Sequence, residues 1–282
     1  MNVRAYAKIN LGLRVLRRRN DGYHDIETIF HRINLYDELT LEPSLHTISI
    51  SCNNNTIPTD ENNLCYEAVE LLRAEVGAHL GASIQLKKNI PVGAGLGGGS
   101  SDAAAVLNAL PSLWNMRVAP STLTTLALQI GSDVPFFLHN RSAYAEGRGE
   151  RLSFLKLSIP YWIVVVAPRT HISTAWAYGE LSSRKRFHVH SERLYDGATC
   201  KVAGIPVLMT NDFEDVVFEA HPEIAELKRQ LRSAGAAYTL MSGSGSSVYG
   251  LFENESSAKR AIDLFRPDSF VSLTEPNFNP SL

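Results

Sequence analysis

The sequence predicts a two-domain α+β protein, and three observations predict it. The first third is built of short alternating segments broken by turn residues, which reads as sheet. A glycine-rich run then leads straight into an alanine-rich, apolar helix. The last third interleaves apolar strands with amphipathic helices, the pattern of a two-layer domain. With 282 residues, 44% of them hydrophobic and 20% charged, the chain is an ordinary globular one, long enough for two domains or one large one.

Val3 to Arg17 alternates in part and predicts a strand, Asn20-Asp21-Gly22 signals a turn, and Ile26 to Ile33, Leu39 to Glu42 and Thr47 to Ser51 follow as strands. Asp60-Glu61-Asn62 caps a helix over Leu64 to Val76, where Leu64, Ala68, Leu71 and Leu72 recur at helical spacing. Ala82 to Lys88 reads as a strand, the glycine run as a loop, and Asp102 to Leu110 as a helix. A further helix, Ser121 to Ile130, follows Pro120 and stops at Gly131. Strands around Ser142 to Glu146 and Glu150 to Phe154 form a pair. The nearly unbroken apolar run Tyr161 to Ala167 predicts a buried strand. The domain boundary falls just before it, giving domains 1–155 and 156–282. Leu181 to Pro206 is polar and without periodicity, so a long loop with irregular helical pieces is expected. Helices Phe213 to Ala220 and Glu223 to Ser233, strands Ala237 to Met241 and Ser247 to Phe252, and a helix Ser256 to Phe265 complete the second domain.

Composition excludes several classes. A net charge of -2 gives no electrostatic reason for nucleic acid or an anionic membrane as partner. The segment Met1 to Lys8 lacks the apolar core of a signal peptide and no window reaches membrane-span length, so a cytoplasmic protein is expected. Three distant cysteines, Cys52, Cys65 and Cys200, make no Cys-x-x-Cys pair, and nine histidines show no His-Glu-x-x-His spacing. Neither a disulfide scaffold nor a zinc site of these kinds is supported.

The chemistry concentrates in Pro91-Val92-Gly93-Ala94-Gly95-Leu96-Gly97-Gly98-Gly99-Ser100-Ser101-Asp102. Five glycines between Gly93 and Gly99 let backbone pass close to a ligand. The helix that follows offers unpaired N–H groups and its positive dipole end, a site for an anion. Ser100 and Ser101 stand where they can cap the helix or reach phosphate oxygens or a metal. Taken alone the run also suits a flexible linker, but a strand before it and a helix after it place it inside a folded unit. No Lys follows the glycines, so this is not a Walker-type loop, and its fit to Gly-x-Gly-x-x-Gly is weak evidence in so glycine-rich a run.

A second small-residue element, Met241 to Ser247, is by itself a hairpin turn, and together with the first loop reads as a second wall of one polyanion site. Asp133, in Gly131-Ser132-Asp133-Val134-Pro135-Phe136-Phe137, is either a helix N-cap or a carboxylate placed to take a proton from an attacking hydroxyl. Lys8 is an odd charge in a half-buried strand unless paired. Beside that carboxylate it would keep the acid ionised and stabilise charge on phosphoryl oxygens.

Ala7-Lys8-Ile9-Asn10-Leu11, Pro91 to Ser101 and Met241 to Ser247 together resemble the three motifs of the GHMP small-molecule kinases. The resemblance implies an amino-terminal domain like ribosomal S5 domain 2, a ferredoxin-like carboxy-terminal α/β sandwich, and an active site between them. It implies ATP and Mg²⁺, with the metal ligands unknown. Asp133 would be the catalytic base and Lys8 its partner. Asn63, Leu64, Lys88, Pro91, Gly93, Gly95, Leu96, Gly97, Gly98, Gly99, Ser100 and Ser101 would hold the nucleotide. Asp21-Gly22-Tyr23-His24 and the segment around Asp133 point to members that phosphorylate the 2-hydroxyl of a cytidine diphosphate-linked methylerythritol, in isoprenoid precursor biosynthesis. Asn10, Tyr23 and His24 would read the cytidine end, with the cytosine ring between Tyr23 and Tyr178. Thr174, Gly243, Ser244 and Gly245 would complete the substrate site. Ser244 and Ser246 depart from the family's usual Thr and Ala or Cys, small residue for small residue. A homoserine- or mevalonate-type kinase, or a silent ligand-binding relative, is the alternative.

Overall fold

The computed structural model describes residues 1–77, 79–184, 194 and 210–280. In chain order the elements are β1 (Asn2–Arg18), β2 (His24–Ser44), β3 (Ile48–Cys52), α1 (Leu64–Glu75), β4 (Gly81–Lys87), α2 (Gly98–Leu113), α3 (Pro120–Ile130), α4 (Val134–Phe137), β5 (Ser142–Glu146), β6 (Arg151–Leu155), β7 (Trp162–Ala167), α5 (Thr174–Ser183), α6 (Glu214–Ala220), α7 (Pro222–Ser233), β8 (Tyr238–Met241), β9 (Val248–Phe252), α8 (Glu255–Phe265) and β10 (Phe270–Thr274). The mixed, two-sheet α+β class is as the sequence predicts. Among the described residues no helix is long and apolar enough to cross a membrane.

Two compact units emerge. One holds Met1–Ala7, Tyr36–Ile90 and Gly97–Asn140, the other Lys8–Leu35, Pro91–Leu96 and Arg141–Leu282, so β1 and β2 each contribute to both. In the first unit β4 pairs antiparallel with the later half of β2, Leu41 opposite Ile84, and parallel with β3. The parallel pair is joined by the crossover helix α1, which packs on α2 and α3. Asn63 starts α1 as its N-cap, its side chain accepting from the Cys65 N–H, one residue later than the acidic stretch that signalled the cap.

In the second unit the early half of β2 pairs with β5, and β5 with β6. A four-stranded antiparallel sheet, in the order β10-β7-β9-β8, carries the apolar run that the sequence marks as a buried strand. Val164, Val166, Phe213, Val217, Ile224, Leu231, Phe252 and Phe265 interlock in one core between that sheet and its helices. The expected loop of 181–206 begins as the end of α5, and apart from Leu194 its part beyond 184 lies outside the described residues.

Three differences from expectation have physical causes. The strands expected at Ile26 to Ile33 and Leu39 to Glu42 are one strand, since no Gly or Pro separates them. The polar residues between are paired: the Asn34 N–H donates to Thr274 Oγ1 at 2.8 Å, and buried Asp37 accepts the N–H groups of Asn89 and Ile90 at 2.6 and 2.9 Å. Helix α2 starts at Gly98 rather than Asp102, because Gly97 at φ 72° takes the left-handed turn that lets the small residues themselves begin the helix. It also runs through Pro111, whose missing N–H costs a single bond near the helix end. The short edge strand β10, half polar in sequence, gave no period to read.

Candidate active site

The first unit presents the start of α2. The N–H groups of Gly98, Gly99 and Ser100 have no intrahelical acceptor and point out of the helix end with its positive dipole. Ser101 is committed inward: its N–H donates to Gly97 O at 2.9 Å and its hydroxyl to Tyr6 O at 2.8 Å. Of the two serines expected at the phosphates, Ser101 is buried and Ser100 is only partly so. Leu64, at the start of α1, approaches within 3.6 Å of where a Cβ of Gly99 would stand.

Lys88, expected beside the nucleotide, puts its ammonium into a buried cluster. It donates to Asp37 and, at 2.7 Å, to Asp102, with side-chain exposures of 5%, 0% and 4%. Burial works against the ammonium, but Asp102 and Asp37 outweigh it and its pKa is raised. Burial pushes the Asp102 carboxyl well above its ordinary range; Lys88 pulls it down and Asp37 pushes it up again. One cation serves two acids, and the Asp102 carboxyl resists ionisation. The Lys88 ammonium lies 3.1 Å from where a Cβ of Gly98 would be, so the cluster braces the first turn of α2. Neither carboxylate carried a sequence signal, because Asp37 sits mid-strand and Asp102 reads as an ordinary first-turn acid. Asp133 stands at the N-cap position of α4 with Pro135 in the first turn, yet its side chain makes no cap bond there.

The second unit contains Lys8. Its ammonium donates to Asn10 Oδ1 at 2.6 Å, and the Asn10 amide donates to Thr28 Oγ1 at 2.8 Å, which in turn donates to Gly12 O at 2.7 Å. Asn10, expected at the cytidine end, is 1% exposed, and its amide is engaged on both sides, accepting from Lys8 and donating to Thr28. The two glycine elements meet here. Ser242 Oγ donates to Gly95 O at 2.9 Å and the Ser247 N–H to Ala94 O at 3.2 Å. Gly95, at φ 76°, is required: a Cβ there would lie 2.1 Å from Ser242 O. Asn211 holds the second loop, donating to Met241 O and Gly243 O at 2.8 Å each. Gly243, Ser244 and Gly245, expected as substrate contacts, form this brace, with Ser244 Oγ 3.0 Å from Thr174 Oγ1. Ser242 and Asn211 escaped sequence reading, being more than 140 and about 30 residues from what they hold.

Tyr23, at 50% exposure, carries the Arg148 guanidinium 4.6 Å over its ring. His24 stacks on Tyr178, with centroids 4.7 Å apart and planes at 22°, and the edge of Tyr178 meets Phe213. Tyr178, expected beside the base with Tyr23, has its ring stacked on that of His24. Burial first, and then the Arg18 cation, lower the His24 pKa, so the ring is neutral at ordinary pH.

A dipole-bearing helix end with free N–H groups, a carboxylate and an oriented ammonium are the parts that phosphoryl transfer to an alcohol requires. Comparison with known proteins agrees. A family model described as "GHMP kinases N terminal domain" matches residues 63–141, and one described as "GHMP kinases C terminal" matches 203–266. A 4-diphosphocytidyl-2-C-methyl-D-erythritol kinase of Pelodictyon phaeoclathratiforme is 43% identical over 280 residues, which cover 98% of this chain and 97% of the relative. This chain belongs to the GHMP kinases. Among members of that family, a like-named kinase of Prosthecochloris aestuarii is 45% identical over 281 residues, covering 99% of this chain and 98% of the relative. The crystal structure of a 4-(cytidine 5'-diphospho)-2C-methyl-D-erythritol kinase superposes with a TM-score of 0.85 at 37% identity, covering 99% of this chain and all of that one. The GHMP fold is therefore shared along the whole length, including both glycine elements.

Proposed function

We infer that this chain is an ATP-dependent kinase that phosphorylates the 2-hydroxyl of 4-diphosphocytidyl-2-C-methyl-D-erythritol, giving the 2-phosphate and ADP, a step in non-mevalonate isoprenoid precursor synthesis. The observation that carries this reading is the 41–45% identity, over nearly the whole length, to kinases of that name.

The residues take the following roles in this proposal. The N–H groups of Gly98, Gly99 and Ser100 bind the β- and γ-phosphates, and the brace of Ser242 on Gly95 holds the loop in shape. Asp133 accepts the proton of the 2-hydroxyl as its oxygen attacks the γ-phosphorus in line and ADP leaves, with no covalent enzyme intermediate. Lys8, aimed by Asn10, stabilises negative charge on the transferring oxygens. Tyr23 stacks on the cytosine and His24 meets its polar edge. Mg²⁺ is a hard cation that keeps oxygen ligands, and Ser100 Oγ and the ATP phosphates are the donors suited to it. When bound it would neutralise phosphate charge. We assign residues 1–155 and 156–282 to the two family domains, consistent with the separate matches at 63–141 and 203–266. We also assign this kinase to the cytoplasm.

The test is ADP release by the purified protein with Mg²⁺ and ATP, offered the cytidyl substrate, homoserine, mevalonate and galactose in parallel. Turnover with the cytidyl compound alone is expected. Turnover with another alcohol would keep the kinase and discard the cytidine pocket, and none at all would favour a silent binding protein.

A further inference from the structure

Helix α5 is entered through a short segment, Thr170 to Ser173, whose one ring the reading above does not use. The neighbours of that ring, His171, are fixed in place. The Thr170 carbonyl accepts from Ser246 Oγ, in the second glycine element. Ile172 is 3% exposed in the core of the second unit, with its Cδ1 3.2 Å from where a Cβ of Gly245 would stand. Ser173 caps α5, its side chain accepting from the Trp176 N–H. The segment is thus bolted to the second glycine element on both sides of His171.

The side chain of His171 reaches the first glycine element. Its Cδ2 and Nε2 atoms each lie 2.2 Å from where a Cβ of Gly93 would stand, so the edge of the imidazole occupies the space that this glycine leaves open. Gly93 is in the left-handed region, at φ 64°. The three carbonyls that follow it are held by hydrogen bonds: Ala94 O accepts from the Ser247 N–H at 3.2 Å, Gly95 O from Ser242 Oγ at 2.9 Å, and Leu96 O from the Lys8 N–H at 3.0 Å. Gly93 is met by a side chain. The contact is one of shape, since a glycine offers only its backbone.

We propose that His171 is a positioning residue for the nucleotide loop: its ring, seated on Gly93, keys the leading turn of the first glycine element against the second and keeps the loop in the shape that receives the phosphates of ATP. The proposal rests on the reading of the chain as an ATP-dependent kinase and names a residue that prepares that site. A loop that must be ordered as its ligand binds loses affinity to that ordering, and a loop already in shape does not. His171 acts through the backbone it supports, without touching the nucleotide.

A double-mutant cycle on the full-length protein tests this, read by calorimetric ATP affinity with Mg²⁺ present. His171→Ala removes the ring and should weaken ATP binding by about five- to tenfold, the worth of one ordering contact at a binding surface. Gly93→Ala drives a methyl into the ring and should weaken it at least as much. In the double variant the methyl takes the room that the ring has left, so His171→Ala should tighten ATP binding relative to Gly93→Ala alone, the reverse of its effect in the wild type. Losses that simply add would overturn the proposal. His171→Phe keeps a flat ring without the nitrogens and should retain most of the affinity. A loss as large as that of His171→Ala would show that the nitrogens matter and not the shape, and would overturn the positioning role.

Steady-state kinetics separate positioning from a merely structural part. In His171→Ala the KM for ATP should rise while kcat, the KM for the cytidyl substrate and the thermal midpoint stay near wild type. A rise in both KM values with a lower midpoint would mean a loosened domain and would overturn the assignment. ATP binding without turnover in the wild type would defeat the kinase reading alone and leave the affinity cycle to decide the role of His171, whereas no ATP binding would overturn both.

Discussion

Single side chains carry the sharpest consequences. With Asp133→Asn the attacking hydroxyl loses its proton acceptor, so single-turnover phosphoryl transfer should slow by about 10²–10⁴ while ATP affinity and the thermal midpoint stay put. A rate near wild type would remove Asp133 as the base. Lys88→Met leaves two carboxyl groups buried without their cation and should cost about 3–5 kcal/mol in urea unfolding. Asp102→Asn copies the protonated acid and should stay within about 1 kcal/mol of wild type. A reversed order of those two variants would show that Asp102 is ionised. His31 is fully buried against Ser142, and burial lowers its pKa from the ordinary 6.5 to about 4. Below pH 6.5 the unfolded chain takes up a proton that the folded chain refuses until about pH 4. Its contribution is thus intact above 6.5 and is lost as pH falls, amounting to roughly 3 kcal/mol by pH 4. Unfolding free energies measured between pH 7 and 4 should slope accordingly in the wild type and less in His31→Gln. Lys8 and Asp133 were readable in the sequence as misplaced charges. The inward turn of Ser101 and the engagement of Asn10 were not, because a side chain's partner is set by tertiary neighbours.

Elements were legible where their pattern is local. The crossover helix α1, the apolar strand β7 and the hairpin of β8 and β9 follow from periodicity and turn residues. What escaped reading is non-local. The single long strand β2 depends on partners near residues 89 and 274, and the second glycine element acts on the first from about 147 positions away. That brace predicts its own failure. Gly95→Ala must place a methyl 2.1 Å from Ser242 O on a backbone at φ 76°, so the two loops must separate. Calorimetric ATP affinity should fall by at least about tenfold, with the unfolding midpoint moving by only a few degrees. Unchanged affinity would show that the brace does not shape the nucleotide loop.

For the whole molecule, one architecture accounts for both glycine elements, the oriented Lys8 and the polar edge at His24. The family and its fold were legible because three short motifs lie at the beginning, middle and end of the chain. Taken locally, Tyr23 and His24 read as a hairpin turn and Tyr178 as a helix surface residue, and the stacking of His24 on Tyr178 is a tertiary contact that no local pattern announces. The central claim is direct phosphoryl transfer from ATP to one hydroxyl of a cytidyl polyol. The most direct measurement is the ³¹P and ¹³C NMR spectrum of the product formed from the cytidyl substrate and Mg²⁺-ATP. A single new phosphomonoester coupled to C2, with the diphosphate bridge intact, is the predicted result. Phosphate on another carbon, a cleaved diphosphate, or unchanged substrate would contradict the account.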